Sequence, residues 1–392
     1  MKGNKNGKKQ QKSLKKKAKC GIIPKDGKRN MIITDLKLKN FRNYSDEEFK
    51  FGNGINIISG ANAQGKTNCA EAIFYICTGY SPRAARDKQL IFAGADKGSV
   101  SGTALSAFGS VTVDIAFFAD KNKEIKINGV PVSKVGELIG NVNSVFFNPA
   151  ELKLIQEAPE DRRRFLDISL SQMSNKYFYA LQKYKKVLTQ RNNLLKEQDR
   201  DMVFETLPVW DISLASAGAK VVYERNAYIA KLAPFAKEAH FMITDGAEEM
   251  SVSGDYKYSG EEGEIYDQLL AALKERLEKD YDLGYTTVGP HRDDLKIKVN
   301  GIDVRTYGSQ GQQRTCALSL KLAEAEIFKD RFGEYPVLIL DDAMSELDKN
   351  RRKNLMSAAK KMQTIITCTE PDCIPDFELY NNIKINNGKI IR

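Results

Sequence analysis

A glycine-rich octet at residues 60–67 constrains this chain more than any other stretch of its 392 residues. Its letters, G-A-N-A-Q-G-K-T, have the spacing of a phosphate-binding P-loop. Residues 54–59 form a short β-branched run before it, and residues 68–77 follow with a helical pattern free of Gly and Pro. In this order, backbone N–H groups and the positive end of the helix surround phosphate oxygens. We therefore predict a nucleoside triphosphate site rather than a chance glycine turn.

Two side chains of the octet are expected to act on the nucleotide directly. Lys66 is placed to reach the β- and γ-phosphates, and the hydroxyl of Thr67 is placed to join the ligand shell of Mg²⁺. The residues predicted to bind the nucleotide are Gly60, Ala61, Asn62, Ala63, Gln64, Gly65, Lys66 and Thr67.

A second half of the site is predicted at residues 336–342, P-V-L-I-L-D-D. A continuous apolar run that ends in two carboxylates is typical of a buried parallel strand, which presents acids at its carboxyl end. We expect Asp341 to bind Mg²⁺, directly or through water, and Asp342 to orient or deprotonate the attacking water. The catalytic candidates are thus Lys66, Asp341 and Asp342. The alternative is a strand that stops in a solvated acidic turn.

Another anion site is predicted at residues 307–314, Y-G-S-Q-G-Q-Q-R, which open a helix over residues 315–328. It lies about 240 residues after the P-loop. One nucleotide rarely needs both helix ends from the same molecule.

The net charge of +10 is concentrated at the N-terminus. Residues 1–30 hold twelve Lys and Arg and one acid, so the remaining chain has a net charge of −1. This segment is too poor in apolar residues to fold, and we expect a disordered basic tail. It would hold phosphate backbones in a salt-dependent way or be a solvated extension.

The rest of the chain predicts an ATPase lobe with an insertion. Period-two patterns predict a strand over residues 31–41 and an antiparallel patch over 98–132, with Arg42 and Asn43 just after the first strand. An apolar stripe from Leu166 to Leu188 predicts one helix of some thirty residues, and residues 211–239 a second helix after a break at 207–210. We expect an antiparallel helical hairpin. The basic residues assigned to its outer face, for DNA or for solvent, are Arg162, Arg163, Arg164, Lys183, Lys185, Lys186 and Arg191.

Composition excludes several other classes. No apolar run approaches the ~20 residues of a membrane span, and the basic N-terminus lacks the apolar core of a secretory signal. The six cysteines show no C-x-x-C pair, and with two histidines a zinc site is not expected. A reducing cytoplasm fits this pattern best.

Together these motifs resemble the ABC-type ATPase heads of the SMC group, and most closely the RecF family of bacterial recombination-repair proteins. The resemblance runs from Met31 to the C-terminus. It rests on F-R-N at 41–43, the P-loop, P-E-D-R-R-R-F-L-D at 159–167, V-G-P-H-R-D-D-L at 288–295, S-Q-G-Q-Q-R at 309–314 and L-D-D-A-M-S-E-L-D at 340–348. It implies an α/β head of mixed sheet, helices and an antiparallel β patch. The implied divisions are 31–155 and 283–392 for the two ATPase halves and 156–282 for an inserted helical arm.

The resemblance also implies a mechanism. The signature residues Ser309, Gln310, Gly311 and Gln312 would cap the γ-phosphate bound by a partner subunit, so that ATP joins two heads into a homodimer. Arg42 and Asn43 would contact the nucleotide, and Ser345 and Asp348 would belong to the D-loop. Slow ATP hydrolysis, binding of single-stranded or gapped DNA, work with RecO and RecR in loading recombinase, and a role in the SOS response follow from the same resemblance.

Some positions depart from the ATPase pattern. Where transporter ATPases carry a switch histidine, residues 365–369 read I-I-T-C-T, so a hydroxyl would have to serve. Asn148 or Gln156 would replace the Q-loop glutamine, and Asp342 is one methylene shorter than Glu. These features indicate a switch more than a motor. The alternatives are another SMC-like ATPase, the ATPase subunit of a transporter and a scaffold with a degenerate site.

Overall fold

The computed structural model describes residues 30–345 and 347–391, except the side chains of Cys373 and Phe377. The predicted basic tail lies outside these residues, apart from Asn30. The strands are β1 Ile32–Phe41, β2 Tyr44–Lys50, β3 Ile55–Ser59, β4 Lys97–Ser106, β5 Gly109–Phe118, β6 Glu124–Ile127, β7 Val130–Val132, β8 Ser144–Phe147, β9 Met250–Asp255, β10 Asp294–Val299, β11 Ile302–Asp303, β12 Val337–Asp341, β13 Thr364–Cys368, β14 Asn381–Asn386 and β15 Lys389–Ile391. The α-helices are α1 Lys66–Thr78, α2 Val135–Leu138, α3 Lys153–Gln156, α4 Pro159–Met173, α5 Asn175–Leu194, α6 Arg200–Ile243, α7 Glu262–Glu275, α8 Leu277–Leu283, α9 Val304–Tyr307, α10 Gln310–Phe332 and α11 Lys349–Ala359.

The central sheet carries the P-loop strand. Its order is β15-β14-β3-β13-β12-β8, and every pair is parallel except β14 with the edge strand β15. All residues of β3, β12 and β13 are buried, as expected for parallel strands that are covered on both faces. Successive residues face opposite sides: Leu338 and Leu340 join one apolar cluster, and Val337 and Ile339 join the other.

The helix after the P-loop is sandwiched between two sheets. The second sheet is antiparallel, in the order β2-β1-β4-β5-β6-β7, and its apolar face shares a cluster with α1 and one face of the central sheet. Almost every residue of α1 is therefore buried, which explains its all-round apolar sequence. The predicted antiparallel patch is confirmed, while β2, a polar strand with few apolar residues, is not in the sequence prediction.

The arm is helical but differs from the predicted hairpin. The stripe from Leu166 to Tyr184 is buried, yet it spans two helices because Ser174 ends α4 and its hydroxyl caps α5, accepting from Tyr177 N at 3.2 Å. The predicted break at 207–210 is wrong: α6 runs 44 residues through Pro208. Leu207, buried in a small cluster with Leu195 and Val203, anchors this part of the helix. Tertiary packing therefore outweighs the hydrogen bond that Pro208 cannot make.

Pro290–Arg292 form a 3₁₀ turn, and a hairpin at Asn300 and Gly301 joins β10 to β11. One further expectation needs correction. Arg162 and Arg191 do not lie on an outer face but are buried in ion pairs. Cys69, Cys77, Cys316 and Cys368 are buried free thiols. Within the described ranges, no helix is both long and apolar enough to cross a bilayer.

Candidate nucleotide-binding site

Hydrogen bonds from the β14–β15 turn and from Asn43 and Tyr44 hold the P-loop in shape. Gly388, in the turn between β14 and β15, donates its N–H to Gln64 O at 3.1 Å. Asn43 Nδ2 donates to the same carbonyl at 2.9 Å, and Tyr44 Oη donates to Gly65 O at 2.8 Å. Gly60 has φ +152°, and a Cβ there would clash with the carbonyl oxygen of Ile385. The loop conformation therefore requires glycine and is fixed before any ligand arrives.

The open end of α1 faces this loop. Its N-cap, Gly65, has φ 118° and supplies no side-chain cap, so the first N–H groups of α1 have no side-chain acceptor from the cap residue. Lys66 is buried, and its Nζ donates to Gly60 O at 2.8 Å and to Ala61 O at 2.9 Å. The ammonium thus lies over the loop that would hold phosphates.

The carboxyl ends of three parallel strands meet beside Thr67. Thr67 Oγ1 donates to Asp341 Oδ1 at 3.0 Å, and Thr367 Oγ1 donates to the same oxygen at 2.6 Å. The register explains this, since Thr367 pairs with Asp341 of β12 on one side and with Ile58 of β3 on the other. Burial raises the pKa of Asp341, and the hydrogen bonds from Thr367 and Thr67 oppose that rise. A hydroxyl beside a carboxylate is a hard-oxygen set that fits Mg²⁺.

A pocket of about 340 Å³ opens at this point. Asp342 lies at its edge, exposed and with φ 52°, and its backbone N–H donates to Thr367 Oγ1 at 3.0 Å. The segment in which the sequence predicts a hydroxyl in place of histidine thus offers two: Thr367 within β13, which binds the carboxyl end of β12, and Thr369 just after that strand. The pocket is lined by Asn62, Ala63, Gly65, Lys66, Thr67, Asn68, Arg83, Asp342, Thr367 and Thr369.

A buried glutamate organises the arginines around the pocket. Arg42 makes two hydrogen bonds to the Glu71 carboxylate, at 3.0 and 2.7 Å, so its guanidinium is held against α1. Arg83 also contacts Glu71, at 3.4 Å, but it lines the pocket. Arg83 is not among the residues that the sequence predicts to bind the nucleotide. A signal was available, because this arginine lies in the loop that follows α1, which ends at Thr78.

The signature residues lie elsewhere on the surface. Ser309 caps α10: its Oγ accepts from Gln312 N at 3.2 Å, and Gln312 Oε1 accepts from Ser309 N at 3.0 Å. Ser309, Gln310 and Gly311 are exposed, and the residues that line the P-loop pocket include none of them. The structure thus brings Lys66, Thr67 and Asp341 together but leaves the signature end of α10 open to solvent.

The remaining predicted residues flank these two ends. Ser345 Oγ donates to Asp342 O at 3.2 Å, and Asp348 caps α11 by accepting from Arg351 N at 2.9 Å. Asn148 directly follows β8, and its buried Oδ1 has no hydrogen-bond partner among the described residues. Gln156, the other Q-loop candidate, donates to Gln313 Oε1 at 2.8 Å. The residues that line the P-loop pocket include neither Asn148 nor Gln156, so the choice between them stays a prediction.

Two sequence blocks, 159–167 and 288–295, meet where the arm joins the ATPase lobe. Arg162 makes two hydrogen bonds to Asp294, at 2.6 and 3.0 Å. Arg225 of α6 is buried and pairs with Asp167 at 2.7 Å. Tyr184 Oη lies 2.6 Å from His291 Nδ1, and burial lowers the pKa of His291 to about 4. These contacts fix the base of the arm on the ATPase lobe.

A cleft of about 1000 Å³ lies at the same junction. Of the three consecutive arginines, Arg162 is ion-paired, Arg163 donates to Asp293 O at 2.8 Å, and Arg164 is exposed in the cleft without a described ion pair. Burial, followed by the charge of Arg225, lowers the pKa of Arg163. The cleft also holds the exposed cations Lys134 and Lys185, with Lys185 3.5 Å from Asp167. The wall is therefore basic.

Comparison with known proteins now identifies the class. A family model described as the RecF/RecN/SMC N terminal domain matches residues 32–391, which defines an SMC-type P-loop ATPase head. The Smc head domain of Pyrococcus furiosus, bound to the C-terminal domain of ScpA, is similar in fold at 18% identity and a TM-score of 0.55, over 92% of this chain and 96% of that one.

More similar proteins narrow the class. A DNA replication and repair protein RecF from Alkaliphilus oremlandii is 41% identical over 92% of this chain and 100% of its own length. Its counterpart from Acetivibrio thermocellus is 42% identical over 92% and 98%. A solved structure of the recombination mediator protein RecF with ATP, in the RecFOR pathway, has a TM-score of 0.84 at 34% identity, over 94% and 99% of the two chains. The chain belongs to the RecF family.

Proposed function

We propose that this chain is an ATP-dependent DNA-binding protein of bacterial DNA replication and recombinational repair. One observation carries the proposal: Thr67, Asp341 and Thr367 converge under an open P-loop, while the signature end of α10 in the same chain is exposed outside that pocket. The relatives described as replication and repair proteins, and the RecF structure with ATP, support the same assignment.

The nucleotide is ATP with Mg²⁺. The loop residues 60–67 and the N-terminus of α1 bind the phosphates, and Lys66 neutralises their charge. The Thr67 hydroxyl and the Asp341 carboxylate would hold the metal, which supplies charge neutralisation at the β- and γ-phosphates. Arg83 faces the same pocket, and Asp342 orients the attacking water. Turnover is slow, because the Asp342 side chain is one methylene shorter than Glu and a threonine replaces the switch histidine. ATP hydrolysis therefore ends the ATP-bound state of a switch rather than driving a motor.

ATP joins two copies of the chain. The Ser309 hydroxyl accepts a hydrogen bond from Gln312 N, and its proton remains available to donate to a phosphate oxygen of a partner's nucleotide. The N–H groups at the start of α10 point the same way. Ser345 and Asp348, on the segment after Asp342, line the same dimer face.

The dimer binds DNA and works with mediator proteins. The exposed cations Arg164, Lys134 and Lys185 around the arm cleft are the candidate contacts with phosphate groups. Single-stranded or gapped duplex DNA is the proposed ligand, and proteins of the RecR and RecO type are the proposed partners in loading recombinase and in the SOS response. The proposed location is the cytoplasm.

The primary test is the mass in solution by light scattering, with and without ATP–Mg²⁺ and with gapped DNA in a parallel sample. We expect a monomer that becomes a dimer with ATP and then retains DNA. Lys66→Arg is expected to remain folded and monomeric. A dimer of that variant that depends on ATP would contradict the switch.

A mixing experiment tests whether each complete ATP site is built from the P-loop of one chain and the signature motif of another. Lys66→Arg keeps its signature motif, and Ser309→Arg keeps its P-loop, so a heterodimer of the two contains one complete site. We expect each variant alone to stay monomeric with ATP, and the mixture to associate, measured by energy transfer between differently labelled subunits. If the mixture also stays monomeric, the proposed trans arrangement is wrong.

A further inference from the structure

Glu248 lies in the segment that follows the long arm helix α6, and its carboxylate contacts three separate elements. Oε1 accepts from Gln312 Nε2 at 3.2 Å and lies 3.9 Å from Arg351 Nη2. Oε2 lies 3.1 Å from His240 Nε2. The side chain is 15% exposed, so one largely buried carboxylate joins the signature helix, α11 and the arm.

The first contact reaches the signature motif through one amide. Gln312 donates from Nε2 to Glu248 and accepts at Oε1 from the backbone N–H of Ser309. A side-chain amide has a donor nitrogen at one position and an acceptor oxygen at the other. Because the Glu248 carboxylate can only accept, it selects the amide orientation in which Oε1 is free to accept from Ser309 N–H. The position of the Ser309 backbone thus depends on Glu248 through Gln312.

The second contact reaches the D-loop. Arg351 Nη1 donates to Gly311 O at 3.2 Å and to Thr315 Oγ1 at 2.8 Å, both on α10. Its Nε lies 3.3 Å from Asp348 Oδ2, and its backbone N–H is capped by the same aspartate. Arg351 therefore ties Asp348 to the first turn of α10, and Glu248 lies against its guanidinium.

The third contact reaches the base of the arm. His240 is fully buried near the C-terminus of α6, and its Nδ1 lies 3.1 Å from Ser319 Oγ of α10. Asn354 of α11 also contacts this region, donating to Asp245 Oδ1 at 2.8 Å. A displacement of the end of α6 would therefore act on both α10 and α11.

We infer that Glu248 is a positioning residue that presents Ser309 and Asp348 as one rigid surface to a partner's nucleotide and links that surface to the arm. The inference rests on the proposed function, because it assigns a role within the composite ATP site. A simple surface ion pair would contribute little and would join two groups. This largely buried carboxylate lies at hydrogen-bond distance from Gln312 and His240 and 3.9 Å from the Arg351 guanidinium. Removal of the carboxylate takes this acceptor from Gln312 Nε2 and one of several contacts from Arg351, and it leaves the P-loop untouched.

The test uses Glu248→Ala, with Glu248→Gln as the conservative variant and Glu249→Ala as a matched control. Glu249 is the next residue, but its carboxylate is exposed and its ion pair among the described residues is with exposed Lys237. We expect Glu248→Ala to bind ATP as a monomer like the unaltered chain and to dimerise with ATP roughly tenfold or more weakly, the effect of lost charge-assisted hydrogen bonds. Glu248→Gln retains an acceptor for Gln312 and is expected to lie between.

Mixing shows which half of the site is damaged. Mixed with Lys66→Arg, Glu248→Ala needs to supply only its P-loop, so association with ATP is expected to return to the level of the reference pair, Lys66→Arg with Ser309→Arg. Mixed with Ser309→Arg, it must supply the signature half, and association is expected to remain weak. A general folding defect would weaken both mixtures alike.

The outcomes separate this inference from the proposed function. If the reference pair does not associate, the composite site itself is wrong. If the reference pair associates and Glu248→Ala rescues both partners equally, or neither, Glu248 does not position the signature half and the inference is overturned. The same holds if Glu249→Ala reproduces the full effect.

Discussion

Two helix N-termini in this chain are suited to binding phosphate, and they are capped in opposite ways. The start of α1 has a left-handed glycine as its cap, with no side-chain acceptor, and it is enclosed by the β14–β15 turn, Asn43 and Tyr44. The start of α10 has a complete capping box between Ser309 and Gln312, and it lies in solvent. The first end needs a ligand to satisfy it, while the second is stable alone.

This difference shows how one chain can supply the P-loop half of one ATP site and the signature half of another. An uncapped, enclosed end binds its anion tightly without help, because its donors are fixed and partly removed from water. A self-capped, exposed end gains little from a free anion in solution. It becomes useful only when another surface brings the anion to it, which makes association conditional on the nucleotide already bound at α1.

The largest expected effect separates the two ends by mutation. Lys66→Ala should weaken ATP binding by the monomer about 100-fold or more, because loss of a charge-assisted contact costs roughly 2–5 kcal/mol. Ser309→Ala should leave monomer affinity unchanged. Titration with a fluorescent ATP analogue measures both. Equal losses in the two variants would mean that both ends act on one nucleotide in one chain.

A pair of glycine substitutions gives the next largest effect. Gly60→Ala should destabilise the fold by about 2–3 kcal/mol, because the new Cβ meets the Ile385 carbonyl at a positive φ. Gly311→Ala should change stability by less than about 1 kcal/mol, since its Cβ would meet the end of the Arg351 side chain at 3.4 Å and Ser309 Oγ at an ordinary 4.0 Å. Chemical denaturation of each monomer compares them, and similar stabilities would contradict the preformed state of the P-loop.

A smaller effect is expected from Asp341→Asn. The substitution should reduce the Mg²⁺-dependent part of ATP affinity about tenfold, because a neutral amide is a poor ligand for this cation. The free protein should be at least as stable as before, since a buried charge with a raised pKa is removed. Melting with and without ATP–Mg²⁺ tests both points. A destabilised free protein that still binds ATP–Mg²⁺ normally would refute the assignment.

The smallest expected effect is a difference in pH dependence between the two ends. Burial raises the pKa of Asp341, so its contribution to stability is present at low pH and is lost as pH rises through the raised value. Burial lowers the pKa of His240, against the effect of Glu248, so its contribution is present above its unfolded value, about 6.5, and is lost as pH falls below it. Asp341→Asn should flatten the first dependence and His240→Gln the second, in denaturation curves from pH 4 to 8. Variants with unchanged pH profiles would show that neither group titrates on unfolding.

The sequence predicts the P-loop strand and helix, the acidic strand and the signature helix well, because each is a local pattern with one physical meaning. It also predicts a hydroxyl within residues 365–369 at the switch position, where Thr367 and Thr369 both line the pocket. What it misses depends on contacts between distant residues. Pro208 predicts a break, yet packing of Leu207 keeps α6 continuous.

Charges are misjudged for the same reason. Arg162 and Arg191 have the spacing of a solvated face, but their carboxylate partners come from other segments: Asp294 for the first, and Asp211 and Asp280 for the second. The roles of Arg83 and Glu248 likewise appear only in three dimensions. No helical period or spacing within one segment can show that the ion-pair partner of a residue comes from a distant segment of the chain.

The order of strands in the central sheet has a consequence for how a cell makes this protein. The P-loop strand β3 is paired on both sides by β13 and β14, which come from the last thirty residues of the chain, and the final turn braces Gln64. During synthesis on the ribosome, the P-loop therefore emerges early but cannot take its final shape until β13, β14 and the turn at Gly388 have also been made. A chain that stops before β13 would hold a signature helix but no working P-loop, so the competence to bind nucleotide reports that these distant strands have been made.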